Sequence, residues 1–376
     1  MTQMKPPRAM SLFDLIARTW VVEDEIRQVL FNAAGSSVMV MLANGRLTFV
    51  SVKDAEHPDT RLRVEADTGR TSIRPRRQPL PAPVVSETPV AQTEVAACRL
   101  GAQGFVFAHR ETGLPWRATA RGQTLAFRGG GALTAVAALP GAERIVRAGG
   151  NRVSLVPEVG GDALVSAELP HEVSRIAVSA DGAALACAGA GRISLLSART
   201  LERRGPVQEA GAVLDMAFSP CGRWLVAGCW DKSVLLIDAE NGTADRIVDF
   251  PQPVGSVAFS AVSGALLAAG AFRATGWRLP DLPFGDHAGE PIATGKPGLT
   301  IVDRIAAHPA RDLCAVAYAN GLVVICRIGH PDEMMLREGT GVPVRALSWS
   351  DDGAHLAIGD ADGTLSIATF PKNMFK

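Results

Sequence analysis

Short apolar runs alternate with turn-forming residues along this chain, and the alternation repeats. From Val213 to Asp238 the sequence VLDMAFSPCGRWLVAGCWDKSVLLID holds three runs of strand-like composition: Val213 to Ser219, Trp224 to Cys229 and Val234 to Asp238. Ser-Pro-Cys-Gly and Trp-Asp-Lys turns divide them. A three-stranded sheet of this size cannot bury both faces alone, so it needs copies of itself as neighbours.

The copies are present. Runs matching the first strand start at Ile26, Val95, Leu133, Val173, Val213, Val254, Val302 and Val344, at intervals of 69, 38, 40, 40, 41, 48 and 42 residues. A period of about 40 residues with this strand content predicts the blades of an all-β propeller. Second turns such as Asn44-Gly45, Asn320-Gly321 and Asp362-Gly363 predict two-residue hairpins with positive φ at both central positions, and hence antiparallel meanders. Eight first strands predict eight blades. The poor third strand of the second unit, LPWRAT, leaves seven as the alternative.

The last unit ends at Lys376 with no fourth strand, whereas Arg246 to Phe250 supplies one ahead of Val254. Arg18 to Val22 stands in the same relation to Ile26. This segment is predicted to complete the last blade and close a single domain over residues 1–376, with 1–25 as tail and closing strand. Closure removes two free sheet edges.

The pattern resembles the WD40 repeat family over nearly the whole chain. The resemblance rests on Ser219-Pro220-Cys221-Gly222, on Asp231 before the third strand, and on Ile237-Asp238 where the family usually has Trp-Asp. His171 sits near the family's Gly-His position. Most units lack both dipeptides, so the family's hydrogen-bonded His-Ser-Asp-Trp cluster is expected to be incomplete. The resemblance implies a rigid, non-catalytic scaffold for protein partners. Two insertions interrupt it. Residues 54–94 include an Arg- and Pro-rich stretch, 71–83, with the composition of an extended surface loop, which suits a docking segment or a passive linker. Residues 280–299 also read as a loop.

Composition narrows the function classes. Hydrophobic residues make up 47% of 376, enough for a sizeable core, and the formal net charge is zero, which argues against nucleic-acid binding by bulk attraction. Abundant Arg, Ala and Gly fit a high-GC bacterial coding sequence. The six cysteines lie mostly in apolar runs without CxxC spacing, as expected of reduced thiols in a cytoplasm. The first 20 residues lack a signal-peptide pattern, and no apolar run suits a membrane helix. A monomer, or a subunit of a hetero-complex, is expected.

The sequence contains no P-loop, GxSxG, HExxH or Rossmann fingerprint, and no cofactor is implied. Gly129-Gly130-Gly131 reads as a loop. The seven histidines are scattered; turn or capping roles suit His308 and His355, while a propeller enzyme or metal site in the central channel remains the alternative. A nucleic-acid platform is a weaker one. The most informative polar pattern recurs where third strands begin: Arg46, Arg152, Arg192, Lys232 and Arg273. Equivalent positions share one rim, so these charges are predicted to form an arc able to meet an acidic segment of a partner. Trp230, Asp231 and Phe272 adjoin it, and the first-strand entry positions Arg27, Arg175, Asp215, Arg304 and Arg345 form a second set on that rim. Arg and Trp are over-represented among binding hot spots. Exposure of Trp230 decides between recognition and blade packing.

Overall fold

Apolar alternation with frequent turns builds four-stranded antiparallel meanders, eight in succession. The computed structural model describes residues 10–375 apart from 65–66, 68–70, 87–89, 128–130, 142–143 and 158–160. Blade 1 comprises Ile26–Phe31, Ser37–Leu42, Leu47–Ser51 and Val84–Ser86; blade 2, Cys98–Leu100, Gly104–Ala108, Pro115–Thr119 and Thr124–Ala126. Blade 3 comprises Ala135–Ala138, Arg144–Gly149, Arg152–Pro157 and Val165–Glu168; blade 4, Arg175–Val178, Ala184–Gly189, Arg192–Ser197 and Gln208–Glu209. Blade 5 comprises Val213–Phe218, Trp224–Cys229, Val234–Asp238 and Ala244–Ile247; blade 6, Val257–Ser260, Ala265–Ala268, Ala274–Arg278 and Pro291–Thr294. Blade 7 comprises Val302–Ala307, Leu313–Tyr318, Val323–Arg327 and Glu333–Arg337. Blade 8 takes Val344–Trp349, His355–Asp360 and Thr364–Thr369 from the C-terminal end and Ala17–Val21 from the N-terminal end.

The first strands of successive blades touch all the way round, from blade 1 to blade 8 and back to blade 1, so they line the axis. The core lies between blades. Trp224, Val226 and Leu236 of blade 5, for instance, pack with Val257, Leu266 and Trp277 of blade 6. Closure follows the expected pairing, with Ala17 opposite Ala368 and Val21 opposite Thr364. Arg18 locks it: its buried guanidinium donates to the Ser51, Val52 and Lys53 carbonyls at 3.0, 2.8 and 3.3 Å, tying the closing strand of blade 8 to blade 1. A buried ion pair, Arg337 to Asp360 at 2.7 Å, joins blades 7 and 8.

Several local expectations are corrected. First strands of blades 2, 3, 4 and 6 begin two or three residues later than the apolar pattern, because Val95, Leu133, Val173 and Val254 are buried residues of the preceding connection. Asn-Gly and Asp-Gly turns do not take positive φ at both positions; Gly45, Gly321 and Gly363 do. Asn44, Asn320 and Asp362 instead accept, through their side chains, the amide two residues on. The fourth strand of blade 5 is Ala244–Ile247 rather than 246–250, since Asp249 has φ 68° and leaves the extended region.

Both insertions carry more than loop. Each supplies the outer strand of its blade, Val84–Ser86 against Leu47–Phe49 and Pro291–Thr294 against Ala274–Trp277, because a third strand left unpaired would expose its backbone groups. Leu62–Val64 and Thr71–Ile73 add a small hairpin. The Pro-rich stretch after it is held down, with Arg76 paired to Asp54 and the Trp20 indole donating to Pro81 O at 2.9 Å.

Candidate functional site

Alternate turns of a meander emerge at opposite ends, so the second turns and the crossings to the next blade share one face, here termed the upper face. Backbone bonds lace its loops together around blades 5 and 6. Trp230 N donates to Ala212 O at 2.9 Å, Phe250 N to Lys232 O at 3.2 Å, Gln252 N to Gly270 O at 3.0 Å, and Gly298 N to Phe272 O at 2.9 Å. On this fixed backbone Trp230 is 65% exposed and Phe272 46%, and Val248 and Leu299 on the adjoining crossings are exposed as well. Trp230 therefore is not blade packing.

Arg152 and Arg192 open third strands and Arg46, Lys232 and Arg273 stand just ahead of them, and much of this charge is already answered. Arg46 pairs with Glu23 at 2.9 Å and Arg192 with Glu209 at 3.0 Å. Arg273 turns inward, donating to Gly295 O at 2.6 Å. Asp231 bonds Ser233 and pairs with Arg246 at 3.1 Å, and Arg246 also reaches Glu209 O. Lys232 sits exposed at φ 64°. Arg152 is exposed and, among the described residues, makes no side-chain hydrogen bond or ion pair.

The first-strand entry residues reach sideways into neighbouring blades. Arg175 donates to Val213 O at 3.2 Å, Asp215 accepts from Val257 N at 2.9 Å, and Arg304 donates to Arg345 O at 2.9 Å. Arg345 then pairs with Glu25 at 2.8 Å, and Glu25 also faces Arg27 at 3.4 Å. Gln28 to Ala97 and Ser256 to Ile305 are clasps of the same kind, absent from the expected set because Gln and Ser carry no charge signal. Burial pushes the Asp215 carboxyl up, against the Val257 amide and the Arg175 and Arg304 charges. Burial likewise lowers Arg304, opposed by Asp303 and Asp215.

The histidines serve turns and packing. His308 accepts from Ala310 N at 3.1 Å and packs against Trp349, with ring centroids 4.7 Å apart and planes tilted by 57°. His355 bonds the Thr369 hydroxyl at 2.9 Å, and burial lowers its pKa to about 4. Of the hydrogen-bonded cluster, His171 is present, with Nε2 2.9 Å from Ser194 Oγ. Among the described residues, no three His, Cys, Asp or Glu side chains gather as a metal site. No described helix is long and apolar enough to cross a membrane.

Known proteins agree with this architecture. Residues 200–238 match the family model of the WD domain, G-beta repeat, and residues 306–373 match that of the anaphase-promoting complex subunit 4 WD40 domain. The first covers the stretch with the clearest repeat pattern. These matches and the ring of eight blades support a WD40-repeat β-propeller. Among solved structures, the computationally designed Ika8 protein is similar in fold, with a TM-score of 0.65 at 15% identity over 93% of this chain and 98% of that one. No curated protein matches the chain. WD40 propellers are generally protein-interaction platforms rather than enzymes.

Proposed function

We propose that the chain is a non-catalytic scaffold that holds a protein partner on the upper-face loops of blades 5 and 6. The exposure of Trp230 and Phe272 on turns of adjacent blades carries this reading. Large aromatic side chains in water at the edge of a closed ring are what a partner covers, and Trp is a common hot spot. The laced backbone lowers the ordering cost of that contact, since the loops are already fixed. Apolar anchors contribute more here than bulk charge, because Glu23, Glu209 and the Asp231–Arg246 pair balance much of the arc. Lys232 remains beside Trp230 to meet an acidic side chain of the partner.

Affinity capture from cells of the source organism tests the reading. The Trp230→Ala, Phe272→Ala double variant is expected to lose the co-purifying protein by tenfold or more, the order of one or two hot spots, with an unchanged melting temperature. Undiminished capture by a folded double variant excludes this patch as the interface.

A further inference from the structure

Four turns on the lower face, opposite the Trp230 side of the ring, box in a cleft of about 500 Å³ between blades 4 and 5. Its inner wall is the pair of first turns, 179–182 and 219–222, and its outer wall the pair of third turns. At the outer end Gly205 and Gly242 meet, so that a Cβ on Gly205 would lie 3.1 Å from Gly242 Cα. The matching space between blades 7 and 8 is filled. Ser179 N donates to Ala184 O there as His308 N donates to Leu313 O in blade 7, which makes Ser179 and His308 equivalent positions. Gly222 and Gly353 are equivalent by the same rule, each donating to the carbonyl three residues back. The His308 ring covers Gly353, with Nε2 3.1 Å from its carbonyl oxygen, and leaves no room for a Cβ. Over Gly222 the nearest atom to such a Cβ is Ser179 Cβ, at 3.9 Å. A serine in place of the imidazole leaves the cleft open.

The walls carry charges of both signs. On the inner wall Asp181 accepts the Ser179 hydroxyl and, at 3.0 Å, the Ala183 amide, both through Oδ1. These bonds hold its carboxyl below the ordinary carboxylate range, so it is ionised at neutral pH. Arg204 stands on the outer wall, exposed, and among the described residues its side chain makes no hydrogen bond or ion pair. Its charge acts on Asp181 only through space. On the blade 5 side Arg223 is answered by Asp238 at 3.1 Å, with Glu240 exposed beyond it. Ala183, Ala184 and Ala239 supply apolar surface between the charges.

We propose that this cleft binds a free α-amino acid as its zwitterion, with the carboxylate on Arg204, the ammonium on Asp181 and the side chain against the alanine methyls. A lone anion is opposed by Asp181 and Glu240, and a lone cation by Arg204 and Arg223. A dipolar ligand answers both signs at once. The guanidinium fork matches a carboxylate in shape, and charge-assisted hydrogen bonds are stronger than neutral ones. The site lies on the other face of the ring from Trp230 and Phe272 and does not depend on them.

A thermal-shift screen of the free L-amino acids, followed by titration calorimetry of the one that stabilises most, is the test. Saturable binding is expected. The N-acetyl derivative and the amide of the same amino acid, each lacking one charge, should bind about tenfold or more weakly. Arg204→Gln, at an exposed position, should weaken the parent amino acid to the same degree with an unchanged melting temperature. Ser179→His carries the blade 7 plug into the cleft and is expected to abolish binding in the folded variant. Absence of binding by every amino acid up to about 10 mM overturns the proposal, as does undiminished binding by Arg204→Gln or by the N-acetyl derivative.

Discussion

The upper face carries two unlike regions on one repeating backbone. On blades 5 and 6 it presents Trp230 and Phe272 to solvent, beside the exposed Val248 and Leu299. Between blades 2 and 3 it opens a cleft lined by Arg147, Arg152 and three hydroxyl residues, Thr134, Ser154 and Ser166. Both regions stand on the same meander, with equivalent turns and crossings. Their chemistry comes from residues that depart from the repeat: an aromatic residue in a turn, a glycine where the next blade has a histidine, an arginine where it has a cysteine. In a ring held by packing between neighbours, positions are set by the repeat and recognition by the exceptions to it.

The largest perturbation removes what both regions share. Deleting residues 1–24 takes away the closing strand and the Arg18 clasp on blade 1, and leaves the third strand of blade 8 as an open edge. The melting temperature is expected to fall by on the order of 10 °C or more, with partner capture lost as well. An unchanged melting curve would contradict the closure. Smaller and more selective is the exchange already described: Trp230→Ala with Phe272→Ala should abolish partner capture and spare the melting temperature.

The smallest expected effect acts on the ring alone. Burial holds His355 at a pKa of about 4 against an ordinary 6.5. The unfolded chain therefore takes up a proton that the folded chain refuses, so the His355 contribution to stability is complete above pH 6.5 and is lost as the pH falls toward 4. Denaturant midpoints should decline over that window, and His355→Gln should flatten the decline. An equal decline in the variant would place the titrating group elsewhere.

Much of the ring is legible in the sequence, because a repeated apolar strand with its turn survives the loss of the family's dipeptides. The starts at Ile26, Val213, Val302 and Val344 are the observed ones, and the closing strand lies within one residue of its expected position. The outer strands Val84–Ser86 and Pro291–Thr294 are not legible, since a few residues within a long Pro-containing excursion carry no periodicity. Of the candidate site residues, the third-strand arc is legible as a register of the repeat. The partners that neutralise it are not. Glu23, Glu209 and Arg246 lie in sequence far from the charges they meet, and only folding brings them together.

The central claim is that a partner docks on the upper face at blades 5 and 6. Hydrogen exchange on the captured complex, against the free chain, reads this directly. Slowed exchange is predicted at 229–233, 248–252, 270–273 and 297–300, with the lower-face turns at 219–223 and 260–264 unchanged. Protection confined to the lower face, or to the outer strands of other blades, would contradict it.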